Sequence, residues 1–106
     1  MKRTLWHVTT KSNVDQILAG GFRDGPFREN ARLKGVYFAD QPTWDGMAIE
    51  LSQLDGWVAI VVLIDEADAK KYHVVEEGGR ERDWVEWFVP AAVANRGTLF
   101  VLTPNR

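Results

Sequence analysis

Three residues able to take part in chemistry stand in short, strand-like segments: His7 in L-W-H-V-T-T, Tyr37 in G-V-Y-F-A-D, and Glu86 in D-W-V-E-W-F-V-P. Glu86 is the least expected of them, because it lies between Trp84 and Trp87 in the run from Asp83 to Pro90. Strand alternation puts Trp84 and Phe88 on the same face as Glu86, and exposing both aromatic rings there would leave an apolar patch, so a cleft is expected. In a water-poor cleft a fixed carboxylate stabilises developing positive charge. By type alone each residue has a plainer role: a half-buried strand histidine, a packing aromatic, and an acid on the solvent side of an edge strand.

The segments that must position these residues follow from pattern. Thr4 to Thr9 is rich in β-branched and aromatic residues and is predicted as a strand. Ser12 or Asn13 then offers a helix N-cap before Val14, Ile17 and Leu18, and Gly20-Gly21 closes that helix. Phe22 to Lys34 has no sustained period and contains Gly25-Pro26, which predicts a functional loop. Gly35 to Ala39 is a short strand, and Asp40-Gln41-Pro42-Thr43 supplies the start of a second helix from Trp44 to Leu54.

Gly56 to Ile64 is continuous and β-branched, the signature of a central strand, and Asp65 to Lys71 reads as a polar turn. Tyr72 to Val75, Trp84 to Val89 and Thr98 to Leu102 complete the strands, with breaks at Gly78-Gly79 and Pro90. No repeat or linker divides the chain, so residues 1–106 form one expected domain of the α+β class, with two short helices in its N-terminal half.

Composition narrows the function. The 106 residues are 45% hydrophobic and 26% charged, average values that argue against disorder. Without cysteine there is no disulfide framework or thiolate metal site, and two histidines lacking a clustered acid make no zinc site, so no metal is expected. The longest apolar run, Trp57 to Ile64, is far short of the ~20 residues of a membrane span, and Met1-Lys2-Arg3 leads directly into a strand. A cytoplasmic protein without membrane partners is expected. The net charge of −2 gives no general attraction for nucleic acid. Between Arg23 and Lys34, however, four basic residues outnumber two acidic ones, so an anion belongs there.

The order His7, Tyr37, Glu86, with the helix closing on G-G-F just after the histidine strand, resembles the His-Tyr-Glu arrangement of the ADP-ribosyltransferase fold. The likeness is to its diphtheria-toxin-like and poly-ADP-ribose-polymerase-like branch, as a minimal bacterial or phage member, and it extends from Leu5 to about Pro90. This resemblance implies two small packed antiparallel or mixed β-sheets forming a split NAD-binding cleft. It implies NAD as the substrate, with Glu86 on the nicotinamide-side ribose hydroxyls, Tyr37 stacking on nicotinamide and His7 on a ribose hydroxyl of the adenosine side. Thr9 would hold the pocket beside His7, and the peptide groups of Val8 would meet the carboxamide. The segment from Arg23 to Lys34 falls where such proteins carry the loop that covers NAD, making Arg28 and Arg32 candidates for the pyrophosphate.

Two functions of other classes share these residues. A non-catalytic module would keep the pocket to bind NAD or an ADP-ribose-like ligand, or serve only in protein interaction; Val8, where the polymerases usually carry glycine, and the short chain favour it. RNA 2′-phosphotransferase chemistry would need a basic cluster that a net-acidic chain lacks. The ADP-ribose acceptor, whether protein, nucleic acid, small molecule or water, is not encoded in any motif.

Overall fold

A computed structural model describes residues 1–27, 30–44, 47–48, 57–74 and 85–102. The chain opens with strand β1 (Lys2–Thr10), helix α1 (Lys11–Gly20), and strands β2 (Gly25–Phe27) and β3 (Asn30–Ala39). A small ribbon, β4 (Thr43–Trp44) and β5 (Met47–Ala48), precedes the long strand β6 (Trp57–Asp65) and helix α2 (Glu66–Lys71). Strands β7 (His73–Val74) and β8 (Glu86–Val89), helix α3 (Ala91–Ala94) and strand β9 (Thr98–Leu102) follow. The result is a small α+β protein, mostly antiparallel sheet with three short helices among the described residues.

Seven strands form one sheet in the order β7-β8-β3-β1-β6-β9, with β2 added on β3, and every described pairing is antiparallel. Its strength is uneven. β1 and β6 run together from Lys2↔Asp65 to Thr10↔Trp57, whereas β1 meets β3 at the single registered pair Trp6↔Ala39. Past Trp6 toward Thr10, the edge of β1 on the β3 side has no strand partner among the described residues. In place of two packed sheets forming a cleft, the described strands make one seven-stranded sheet with a narrow seam and a separate two-stranded ribbon, β4-β5.

Alternation decides what each face buries. Leu5 lies opposite Val62 and His7 opposite Ile60, while Val36 and Phe38 lie opposite Val89 and Trp87. Apart from His7, these residues belong to the main core, which Val14 of α1, Ala69 of α2 and Ala91, Val93 and Ala94 of α3 close over. Leu5, Ile60, Val62, Val89 and Phe38 are almost wholly removed from water, each worth roughly 1.5–3 kcal/mol of burial. On the opposite face Val8 and Ala59 pack with Trp6 and Trp57. At one end of the sheet the Arg3 guanidinium forms a fork to Glu66 at 2.9 and 2.6 Å and lies 5.5 Å from the centre of the Trp87 ring.

Several expectations are corrected. Phe22 to Lys34 is not a loop throughout: β2 and the start of β3 form a hairpin by Gly25↔Gly35, Pro26↔Lys34 and Phe27↔Asn30. Residues 30–34 are all exposed, so backbone pairing holds this strand without leaving apolar alternation in the sequence. The helix from Trp44 to Leu54 does not begin where expected, because Thr43–Trp44 pairs with Met47–Ala48; residues 49–54 lie outside the described residues. The Asp40 side chain accepts from Val85 N–H at 3.1 Å while Asp40 N–H donates to Val85 O at 3.0 Å. An acid that reads as a helix cap thus secures the entry to β8.

The cap of α1 is Thr10 rather than Ser12 or Asn13, its Oγ1 accepting from Asn13 N–H. The polar turn at Asp65 to Lys71 contains α2, with Glu66 and Asp68 in its first turn and Lys70 and Lys71 in its last, the arrangement that complements a helix dipole. With α2 and α3 both in the C-terminal half, only α1 of the described helices stands in the N-terminal half. The break at Gly78-Gly79 lies outside the described residues.

Candidate functional site

The seam between β1 and β3 places His7. Its Nδ1 lies 2.8 Å from the main-chain oxygen of Tyr37. A carbonyl only accepts, so the ring proton sits on Nδ1 and leaves Nε2 with an acceptor lone pair. The ring is packed by Phe22, edge-on at 5.8 Å, and by Phe38 at 5.7 Å. Burial pushes its pKa below the ordinary histidine value, while the hydrogen bond to the Tyr37 carbonyl pulls partly the other way. A neutral imidazole follows at pH 7.

This shift carries a sign. A histidine whose folded pKa is depressed contributes stability that is complete above its unfolded pKa of ~6.5 and is lost as pH falls from there through the folded value. Thermal melts of the parent should lose more stability between pH 7.5 and pH 5 than those of His7→Gln, which cannot titrate. The depressed acids Asp65 and Glu66, paired with Lys2 and Arg3, titrate below this window. Parallel losses for the two proteins would show that His7 is not held neutral by its surroundings.

Around His7 lies a pocket of about 360 Å³. Its walls are Thr9 of β1, Asn13, Gln16 and Ile17 of α1, the turn from Gly21 to Arg23, and Gly35, Val36 and Tyr37 of β3. Asn13 Nδ2 donates to Thr9 Oγ1 at 3.0 Å, tying the first turn of α1 to the strand. Gly35 is required beneath: a Cβ there would stand 2.9 Å from Val89 O and 3.0 Å from the Phe88 ring, closing the approach of β3 to β8. Arg23 is the cation in this wall. It is exposed, and its position immediately after G-G-F was the only local signal pointing to it.

Glu86 sits one strand further on. It pairs with Ala39 on one side and Val74 on the other, is half-buried, and shares a sheet face with Tyr37, whose direct partner is Phe88. Glu86 is the diagonal neighbour of Tyr37, a relation that spans about 7–8 Å. The Phe27, Tyr37 and Phe88 rings cluster on that face, with centroids 4.7 to 5.8 Å apart.

The pocket lining includes His7, Thr9 and Tyr37, but alternation puts the Tyr37 ring, with Phe27, Phe88 and Glu86, on the sheet face opposite Val36 and Phe38, and Glu86 lies outside that lining. Trp87 does not flank Glu86 in space, since alternation sends it into the core. Trp84 and Arg28 lie outside the described residues. Arg32 is on the exposed part of β3, away from the pocket lining, because the segment expected to fold over as a loop extends as a hairpin strand. The Val8 side chain turns to the opposite face, against Ala59, and is also absent from that lining.

Among the described residues no group of three or more histidine, cysteine, aspartate or glutamate side chains could hold a metal, and no helix is long and apolar enough to cross a membrane. No protein-family model, curated protein or solved structure matches the chain.

Proposed function

We propose that this chain is an NAD-dependent enzyme of the His-Tyr-Glu ADP-ribosyltransferase type, passing ADP-ribose from NAD to an acceptor or to water. The observation that carries this reading is the neutral His7 fixed to the Tyr37 carbonyl at a pocketed seam, with Glu86 next to Tyr37 on the following strand. A volume of about 360 Å³ falls in the range of small-molecule sites, and the mixture of amide, hydroxyl, arginine and aromatic groups suits a nucleotide.

In this reading His7 Nε2 accepts a hydrogen bond from a ribose hydroxyl, and Arg23 takes the role expected of Arg28 and Arg32, facing the diphosphate. Tyr37 offers its ring face to the nicotinamide. The bond from the anomeric carbon to the pyridinium nitrogen breaks with its electron pair going to nicotinamide. Positive charge then spreads over the ribose, where the Glu86 carboxylate lowers its energy. The acceptor oxygen or nitrogen bonds to the anomeric carbon and gives up its proton to water. We place the reaction in the cytoplasm.

The test is incubation with NAD, measuring free nicotinamide and transferred ADP-ribose together. Nicotinamide with a modified acceptor is the transferase outcome, and nicotinamide alone is the glycohydrolase outcome. One observation favours a second reading: Glu86 lies outside the pocket lining, as in a module that binds the ligand without cleaving it. NAD binding without nicotinamide release would establish that module. Tyr37→Ala should weaken NAD binding by ~1–2 kcal/mol through the lost ring contact. Unchanged affinity would remove Tyr37 from the site.

A further inference from the structure

The pocket wall that carries Arg23 is held by residues far away in sequence. Phe22 N–H donates to Asn95 Oδ1 at 2.7 Å, and Asn95 Nδ2 donates to Phe22 O at 3.1 Å. One side-chain amide therefore satisfies both main-chain polar groups of one residue, as a neighbouring strand would. Gly21 makes the approach possible: it turns the chain at φ 82°, and a Cβ there would lie 2.9 Å from Asn95 Oδ1. On the other side of Arg23, Ala91 N–H donates to Asp24 Oδ1 at 2.8 Å. Arg23 is thus bracketed by Phe22 and Asp24, each tied to the α3 region.

We propose that Asn95 is a positioning residue for the anionic part of the ligand. By clamping the Phe22 peptide it fixes where Arg23 presents its guanidinium, and so governs affinity for the diphosphate of a dinucleotide rather than the rate of bond cleavage. The proposal rests on the NAD reading above. Asn95 itself lies outside the pocket lining, so its effect on affinity must pass through Arg23, while the Phe22 ring, packed edge-on against His7, reports whether the clamp has been released.

The experiment compares the parent, Asn95→Ala, Arg23→Ala and the double variant by NAD calorimetry, by kcat and KM for nicotinamide release, and by NMR titration of His7 without ligand. Asn95→Ala should raise Kd and KM about fivefold or more while leaving kcat within about twofold, since two hydrogen bonds holding the wall are lost. Arg23→Ala should raise Kd about tenfold or more, and the double variant should match Arg23→Ala, because an absent guanidinium has no position to lose. Additive effects overturn the proposal.

With the Phe22 ring released, the His7 pKa should also move up toward its ordinary value. A His7 titration unchanged in folded Asn95→Ala overturns the clamp whatever the pocket binds. If that variant does not fold, Asn95→Asp keeps the oxygen facing Phe22 N–H and should give a smaller shift in the same direction; no shift overturns the proposal. A parent that binds no NAD removes the ligand assignment and the proposal with it. A parent that binds NAD no better than Asn95→Ala overturns the proposal alone.

Discussion

Glu86→Gln should lower the rate of NAD cleavage by about a hundredfold or more, equivalent to ~3 kcal/mol of transition-state stabilisation, while NAD binding changes much less. The substitution keeps side-chain shape and one acceptor oxygen, so ground-state hydrogen bonds largely survive. What disappears is the negative charge that would face a cationic ribose. Position makes the test clean, because Glu86 is half-buried on a strand held on both sides, by Ala39 and Val74, and neutralising it does not open the core. Equal kcat for parent and variant, with matching melting curves, would end the enzymatic reading and leave a binding module. A variant that loses NAD affinity and turnover in equal proportion would instead place Glu86 in ground-state binding.

Phe38→Ala should cost ~3–5 kcal/mol of stability, since its ring is 2% exposed and little around it can collapse into the void. At about 4–8 °C per kcal/mol for a domain of this size, melting should fall by roughly 12–40 °C, which calorimetry or circular dichroism would measure. Against a typical total of ~5–15 kcal/mol, that is enough to unfold a marginal protein at physiological temperature. The ring also touches Phe22 at 5.4 Å and His7 at 5.7 Å, so the same residue carries both the core and the site. A fall of only a few degrees would mean that the region is not packed as described.

What the sequence made legible is what local spacing can encode. Gly56 to Ile64 reads as a central strand because a strand buried on both faces keeps no polar positions, and β6 covers it from Trp57 on, while the short strand expected from Gly35 to Ala39 is the end of β3. Thr98 to Leu102 matches β9 end to end. The order of His7, Tyr37 and Glu86 was also legible, and the structure puts them on adjacent strands β1, β3 and β8.

The hairpin at 25–34 was not legible, because an exposed strand is specified by main-chain hydrogen bonds that every residue can make. Nor was α2, whose polar composition left Ala69 as its one buried residue. Asn95 and Asp24 were invisible for a different reason. Their partners are 73 and 67 residues away, and a polar side chain leaves no periodic trace of a contact at that range. Arg23 was not singled out for the same reason, since the path of the segment after Phe22 brings it into the pocket lining.

The long ladder between β1 and β6 also orders events in time. Thr10 pairs with Trp57, so even the nearest rung closes a loop of 47 residues, and Lys2 waits for Asp65. On a ribosome adding about 5–20 residues each second, β1 spends several seconds outside without its principal partner. During that interval Trp6, Val8 and the histidine of the seam are an unpaired apolar strand, open to any passing edge. The strand that carries His7 is thus made well before the strand that secures it.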